Sequence, residues 1–181
     1  MGLNDEVGRR IRELRAARGL SLSELARRSG VGKGTLSELE SGTRNPTLET
    51  LYALTTALNR PLSAVLDDDP PPRAERHAAA VSGSAVTAVL IERHEDDDAV
   101  TDVFRITIAA GATQESAAHV PGTTESLTIL SGTALVGVLG APSTVGPGGT
   151  VCWPADTAHL YHAPHGDVHG ILLVRYRAAA L

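Results

Sequence analysis

The chain of 181 residues has a single cysteine, Cys152, and therefore cannot form an internal disulfide. This composition fits a reducing compartment, so we expect a cytoplasmic location. The N-terminus, Met-Gly-Leu-Asn-Asp-Glu, has neither the basic start nor the apolar stretch of a secretory signal. Long hydrophobic runs are also lacking. The aliphatic run at residues 171–174 is far shorter than the about 20 residues of a membrane-spanning helix, so we expect no membrane partner.

The run Asp-Asp-Asp-Pro-Pro-Pro at residues 67–72 divides the chain. Consecutive prolines remove backbone N–H donors and favour an extended polyproline conformation. Apolar residues recur at helical spacing before this run, whereas the period moves towards that of strands after it. We therefore predict a helical domain over residues 1–66, an Asp/Pro-rich linker over residues 67–80 and a strand-rich domain over residues 81–181.

Charge is distributed unequally between these segments. Residues 1–66 contain ten Lys/Arg and seven Asp/Glu, a net charge of +3. Residues 67–181 contain six and fourteen, a net charge of −8. A basic N-terminal domain in a chain that is acidic overall indicates that this domain alone binds phosphates.

Two short helices joined by a tight turn are predicted between residues 21 and 40. Ser21 can cap the first helix, and Glu24 can complete a capping box. Gly30 suits the turn, because a positive φ costs little only for glycine. Helices shorter than about 10 residues cannot bury an apolar face alone, so they must pack on further helices. Apolar stripes on both sides of the pair supply those helices.

This arrangement resembles the xenobiotic-response-element family of helix-turn-helix proteins, which includes the lambda and 434 repressors, over about residues 5–66. The matching positions include Gly19, Leu20, Ser21, Leu25, Ala26, Gly30, Val31, Leu36, Leu39, Gly42, Asn45 and Pro46. The resemblance implies a five-helix, lambda-repressor-like module whose recognition helix, residues 32–40, enters the major groove of double-stranded DNA. Arg15 and Glu40 occupy positions that the family pairs with each other, and we interpret them as structural.

The resemblance also implies a set of DNA contacts. Lys33 can donate to guanine or to a phosphate, and Glu38 can accept from cytosine N4. Arg44 lies in the following loop, where it can hold phosphate oxygens. The candidate DNA-binding residues are Ser21, Lys33, Gly34, Thr35, Ser37, Glu38, Arg44 and Asn45. Gly34 offers no side chain to a base and costs about 1 kcal/mol of helix stability relative to alanine, so we expect sparse base readout.

Short strands separated by Gly, Pro and Asp turns predict a β-sandwich or barrel in the C-terminal domain. Two segments of this domain resemble the cupin motifs. The first contains Gly111, His119, Glu125 and Gly132, and the second contains Gly148, Pro154 and His159. This resemblance covers about residues 84–177 and implies a cupin jelly-roll, which is a double-stranded β-helix.

In metal-binding cupins, three histidines and one glutamate converge inside the barrel. When these positions are carried over to this sequence, the first histidine is replaced by Ala117, whereas the other three ligands are present as His119, Glu125 and His159. These three residues are a candidate site for a divalent metal, either non-haem Fe(II) or zinc. The alternative is that they are polar groups that recognise an organic effector without any metal.

Strand alternation adds further residues to the predicted pocket. Tyr161 lies two positions after His159 and therefore faces the same side of its strand, whereas His162 faces the other. Cys152 is predicted to be a buried apolar filler. The complete predicted ligand pocket is His119, Glu125, Trp153, His159 and Tyr161.

Together the two domains predict a bacterial transcriptional regulator without catalytic residues. Two half-sites about 34 Å apart usually provide operator affinity, so we expect a homodimer on a pseudo-palindromic operator. The barrel would sense a small molecule. The alternative is an enzyme, because the iron-dependent epoxidase of phosphonate antibiotic synthesis also joins a helix-turn-helix-like domain to a cupin. A DNA-binding antitoxin is a third class, but it would not need the barrel.

Overall fold

The computed structural model describes residues 3–66 and 80–177. Its N-terminal part contains five helices: α1 (Leu3–Ala17), α2 (Leu22–Ser29), α3 (Lys33–Glu40), α4 (Leu48–Ala57) and α5 (Ser63–Leu66). The predicted five-helix module is confirmed, with the recognition helix beginning one residue later than expected. The predicted linker lies outside the described residues except for Ala80, which begins the first strand.

Local signals explain the ends of α2. The Oγ of Ser21 accepts the backbone N–H of Glu24 at 3.1 Å, and Gly30 ends the helix with a φ of 70°. The second half of the predicted capping box differs from expectation. The Glu24 carboxylate turns to Arg27 and Arg28 on its own helix, because these flexible cations lie three and four residues along the same face.

A cluster of buried aliphatic side chains holds the five helices together. It includes Ile11, Leu25, Leu36, Leu39, Leu51, Leu54 and Leu58. Burial of one such side chain stabilises the fold by roughly 1.5–3 kcal/mol. The short helices α2 and α3 are therefore stable through this shared core, and α3 is held with its opposite face exposed. No helix in the described ranges, 3–66 and 80–177, is long and apolar enough to span a bilayer.

The C-terminal domain is a jelly-roll of two antiparallel sheets. Its strands are β1 (Ala80–Ser82), β2 (Val86–Glu95), β3 (Ala99–Ile108), β4 (Thr113–Ser116), β5 (Thr124–Ser131), β6 (Ala134–Val138), β7 (Ser143–Val145), β8 (Thr150–Pro154), β9 (His159–His162) and β10 (Val168–Arg177). The larger sheet has the order β1-β2-β3-β10-β5-β8, and the smaller one has the order β4-β9-β6-β7. The cupin jelly-roll prediction is confirmed.

Alternation along β8 places Trp153 inside the barrel and Cys152 outside. The prediction that Cys152 is buried is therefore wrong: it is exposed. Its Sγ donates to Ser126 Oγ on the neighbouring strand at 3.2 Å. Because successive side chains of a strand face opposite sides, the inward direction of Trp153 requires Cys152 to point outward.

Polar contacts join the two domains. The backbone N–H of Ser63 donates to Asp102 Oδ2 at 3.0 Å, and the N–H of Leu62 donates to the Tyr176 hydroxyl at 3.4 Å. At the start of α4, Glu49 Oε1 accepts the N–H of Ser84 at 2.7 Å. Helices α4 and α5 therefore rest directly on the barrel.

Candidate functional site

The candidate DNA-binding residues lie together on and around α3. Lys33, Gly34, Ser37 and Glu38 are exposed on the helix, and Thr35 is half-buried. Ser21, Arg44 and Asn45 are exposed in the flanking segments. The inward positions Leu36 and Leu39 anchor the helix in the core. The outward face of α3 is thus free of core packing and can meet a DNA groove.

Several of these residues have partners within the protein. Arg44 Nη1 lies 3.0 Å from Glu38 Oε2, with both side chains more than half exposed. The side-chain amide of Asn4 donates to Asn45 Oδ1. These contacts orient the loop after α3, and an exposed ion pair of this kind is weak enough to exchange for a phosphate.

Arg15 and Glu40 form the predicted structural pair. Arg15 Nε donates to Glu40 Oε1, and its Nη2 donates to Oε2, both at 2.7 Å. The Nη1 of Arg15 also donates to the carbonyl of Leu20 at 2.8 Å. This bidentate contact links α1 to the end of α3 and fixes the position of the recognition helix.

Three predicted pocket residues converge inside the barrel. His119 follows β4, Glu125 lies on β5 of the larger sheet, and His159 lies on β9 of the smaller sheet. Their exposed fractions are 5%, 1% and 0%, respectively. One potential ligand atom from each lies within 4.8 Å of the others. The opposing sheets therefore bring together residues that are up to 40 positions apart in sequence.

Tyr161 and Trp153 complete the cluster. The Tyr161 hydroxyl donates to Glu125 Oε2, and the Trp153 ring lies edge-on to Tyr161 with centroids 5.8 Å apart. Burial raises the pKa of Tyr161 well above 10, with a further contribution from the Glu125 charge, so its hydroxyl stays protonated and acts as a donor. All five predicted pocket residues are thus buried neighbours.

Two opposing effects act on Glu125. Burial raises its pKa, but the hydrogen bond from His119 and the charges of His119 and His159 outweigh that effect, and the net pKa lies below its ordinary value. Glu125 is therefore an ionised carboxylate in a nearly dry site. Such a group is a strong ligand for a cation or a hydrogen-bond donor.

The spacing of the three donors fits a first-row metal ion. His119 Nε2 lies 3.1 Å from Glu125 Oε1, and His159 Nε2 lies 3.4 Å from Glu125 Oε2. Two ligands bound tetrahedrally at about 2.1 Å from one zinc ion would lie about 3.4 Å apart. His159 Nδ1 is within 2.9 Å of the Thr157 carbonyl, an outer contact that orients its Nε2 towards the centre.

Tyr52, a residue of α4, was not among the predicted site residues, yet its ring stacks on His119. The ring centroids are 4.0 Å apart and the planes differ by 15°. The pattern Leu48, Leu51, Leu54, Leu58 marks the core stripe of α4 and leaves Tyr52 beside it. A large aromatic just off the apolar stripe was the signal available in the sequence.

The fold and the buried centre define a helix-turn-helix protein with a C-terminal cupin domain. A family model described as helix-turn-helix, HTH_3, matches residues 11–65. Over 167 residues the chain is 31% identical to the HTH-type transcriptional regulator SutR of Escherichia coli (strain K12), which covers 92% of each protein. Residues of the N-terminal part are also 41% identical over 66 residues to the transcriptional regulator ClgR of Mycobacterium tuberculosis (strain ATCC 25618 / H37Rv), covering 36% of this chain and 59% of that protein.

A solved structure has the same overall fold. The crystal structure of an HTH_3 family transcriptional regulator from Vibrio cholerae matches with a TM-score of 0.80 and 24% identity, covering 96% of this chain and 97% of that one. The chain belongs to the HTH-type transcriptional regulators, and it is a DNA-binding regulator of the xenobiotic-response-element type with a cupin domain. This membership over nearly the full length decides for the regulator and against the epoxidase alternative.

Proposed function

We propose that this regulator acts in the cytoplasm as a homodimer that binds a pseudo-palindromic operator and responds to a small molecule held by His119, Glu125 and His159. The observation that carries the proposal is the almost complete burial of these three groups around one point. A cluster of this kind opposes folding, because ionised and polar groups lose hydration when they are buried. Its presence beside the DNA-binding domain is best explained by a bound effector.

Unsatisfied atoms support the same interpretation. Among the described side chains, His119 Nδ1, His159 Nε2 and Trp153 Nε1 are buried and have no hydrogen-bond partner. Each such atom costs about 1–3 kcal/mol unless something satisfies it. A ligand with oxygen acceptors and donors at this centre would recover that free energy.

A divalent metal is one candidate occupant. His119, Glu125 and His159 would hold it, and it would supply a Lewis-acidic position that an oxygen-bearing effector can ligate. With alanine at position 117, the site offers three protein ligands rather than four. We therefore propose an organic effector as the regulated ligand, with any metal bound weakly or partly.

For DNA, we propose that α3 carries the candidate contacts into the major groove of each half-site. A single small module makes few contacts, so operator affinity requires two modules in register. The outer face of the larger sheet offers a surface for the second copy. Leu173 is 38% exposed there and lies directly opposite Val103 of the neighbouring strand.

Metal analysis and fluorescence test the centre. Trp153 is the single tryptophan of the chain, and its ring centroid lies 6.3 Å from that of His159, so its emission reports on the site directly. Protein purified without chelator would be analysed for bound metal and for co-purified organic molecules. Titration with Co²⁺ should quench Trp153 in the wild type. His159→Ala should abolish this response, whereas His162→Ala, on the outward face of the same strand, should preserve it. Equal quenching of both variants by Co²⁺ would refute metal binding at this centre, whereas the search for co-purified organic molecules tests the effector itself.

Light scattering tests the proposed dimer. Leu173→Lys should shift the protein towards the monomer, because a charge replaces an apolar contact at the proposed interface. Leu139→Lys is the matched control, since Leu139 is 44% exposed and lies after β6 of the smaller sheet. A wild type that is monomeric at micromolar concentration would contradict the proposal.

A further inference from the structure

A cleft of about 420 Å³ lies between the DNA-binding domain and the barrel. Its lining from the helical side includes Glu49, Tyr52 and Thr56, and its lining from the barrel side includes Ser116, Ala117 and His119. The volume is within the range of ordinary small-molecule sites. Because His119 belongs both to this cleft and to the buried centre, the two spaces are separated by very little protein.

Tyr52 forms that separation. Its ring covers one face of the His119 imidazole, while the His159 ring meets His119 edge-on at a centroid distance of 4.9 Å. Burial raises the pKa of Tyr52 well above its ordinary value, with further contributions from the charges of Glu125 and Asp102 in the barrel, so its hydroxyl stays protonated. The arrangement is a plug: an aromatic residue of one domain fills the mouth of a site in the other.

The centre cannot be reached from solvent without a movement. His119, Glu125 and His159 are at most 5% exposed. On the cleft side the neighbouring residues Ala117 and Ala118 are exposed and have small side chains. Tyr52 is therefore the bulky group between the cleft and the centre, and it must move before a hydrated ion or a larger ligand can contact Glu125.

We propose that Tyr52 is the gate of the effector site, so that the site is shared by the two domains and its occupancy moves α4. This inference rests on the proposed role of the centre as an effector site. The phenol of Tyr52 occupies the position that the ligand would take. The ligand class is thus a small planar molecule with an oxygen donor, which stacks on His119 and extends into the cleft.

The displacement has a direct route to the DNA-binding face. Tyr52 lies on α4, which packs against α2, and α2 packs against the recognition helix α3. Helix α4 also carries Glu49, whose carboxylate accepts the N–H of Ser84 in the barrel. A movement of α4 that releases Tyr52 also strains this second contact, so the gate and the domain interface change together.

The test uses full-length protein and Zn²⁺ as the probe. Spin labels on the native Cys152 and on Ser23→Cys, both exposed positions, report the distance between the barrel and the helical domain by pulsed electron paramagnetic resonance. Zn²⁺ affinity is measured in parallel by calorimetry. The variants are Tyr52→Ala, which removes the gate, and Tyr52→Phe, which retains the ring. Thr56→Ala is the control from the same helix and the same cleft.

We expect Tyr52→Ala to bind Zn²⁺ about tenfold more tightly than the wild type, because the closed state no longer competes with binding. Tyr52→Phe and Thr56→Ala should remain within about twofold of the wild type. Zn²⁺ should shift the interdomain distance in the wild type, and His159→Ala should abolish that shift. If Tyr52→Ala does not fold, the distance shift of the wild type and its loss in His159→Ala still test the gate.

Two results would overturn the gate while leaving the proposed effector site intact. One is Zn²⁺ binding to the wild type without any change in the interdomain distance. The other is weaker binding by Tyr52→Ala, which would make Tyr52 part of the binding site. Absence of Zn²⁺ binding in both the wild type and Tyr52→Ala would overturn the gate together with the metal-binding capacity of the centre. Binding by Tyr52→Ala alone would support the gate.

Discussion

The backbone N–H of Ser63 donates to the Oδ2 of Asp102 at 3.0 Å, across the boundary between the two domains. Asp102 lies on β3 and has no exposed surface. Burial raises its pKa from 3.8 to about 6, against the opposing effects of the Ser63 hydrogen bond and the charge of Arg93. A carboxyl group that titrates near neutrality therefore lies in the domain interface.

This raised pKa predicts a pH-dependent stability. The folded protein holds the Asp102 proton more tightly than the unfolded chain does. The stability that this difference contributes is therefore complete below about pH 4 and is lost as the pH rises through about 6. The loss is about 3 kcal/mol in the free energy of unfolding. Asp102→Asn retains an acceptor for Ser63 and cannot ionise. Urea unfolding at several pH values should show the variant gaining stability over the wild type between pH 4 and 7, and a constant difference would contradict the raised pKa.

The bidentate contact of Arg15 with Glu40 predicts a loss of stability when one partner is changed. Their side chains are only 16% and 8% exposed, so Glu40→Gln leaves a partly buried guanidinium without its countercharge. We expect a cost of about 2 kcal/mol, measured by urea unfolding of the full chain at 222 nm. The control is Glu95→Gln, since the Glu95 side chain is 68% exposed and should cost under about 0.5 kcal/mol. Equal losses of unfolding free energy in Glu40→Gln and Glu95→Gln would show that the Arg15–Glu40 contact stabilises the domain no more than an exposed ion pair does.

Two helical glycines predict opposite responses to alanine. A Cβ at Gly34 would meet nothing within 4 Å, so Gly34→Ala should stabilise α3 by about 1 kcal/mol through its higher helix propensity. A Cβ at Gly8 would clash with the backbone carbonyl oxygen of Leu39. Gly8→Ala should therefore destabilise the domain by about 2 kcal/mol or more. Thermal melting of both variants tests the pair, and a destabilised Gly34→Ala would show that the helix surface is constrained there.

The position of Lys33 and Arg44 predicts a weaker salt dependence when either is replaced. Each phosphate contact contributes about one unit to the slope of log K against log salt concentration. Lys33→Ala and Arg44→Ala should each lower DNA affinity and reduce this slope by about one, measured by fluorescence anisotropy with a labelled duplex selected from a random pool. Arg93→Ala, in the barrel, is the control. Unchanged slopes for both Lys33→Ala and Arg44→Ala would refute the proposed contacts.

The alanine at position 117 suggests a substitution that should raise the metal affinity of the buried centre. The cupin resemblance places a fourth ligand at this position, so Ala117→His should raise Zn²⁺ affinity at least about tenfold by completing a four-ligand set. Ala118→His is a matched control, because it adds the same imidazole at the next exposed position of the cleft. Calorimetry distinguishes them. Equal gains would indicate a nonspecific effect of an added histidine.

Much of the fold follows from short-range patterns. Ser21, Gly30 and the leucine stripe of α4 determine helix ends and buried faces within a few residues. These features can therefore be predicted from the sequence. Alternation likewise places His159 and Tyr161 on one side of β9. The short strands β1, β4 and β7 are harder to recognise, because three or four residues carry little periodic signal.

The sequence by itself determined the two domain types, the Arg15 and Glu40 positions and the residues of the buried centre, because each follows from local spacing or from a family motif. The tertiary structure alone decided what lies across the domain boundary. The stacking of Tyr52 on His119 and the contact of Ser63 with Asp102 join residues 67 and 39 positions apart. The direction of a side chain towards another domain depends on how two finished domains pack, and no local periodicity encodes that packing.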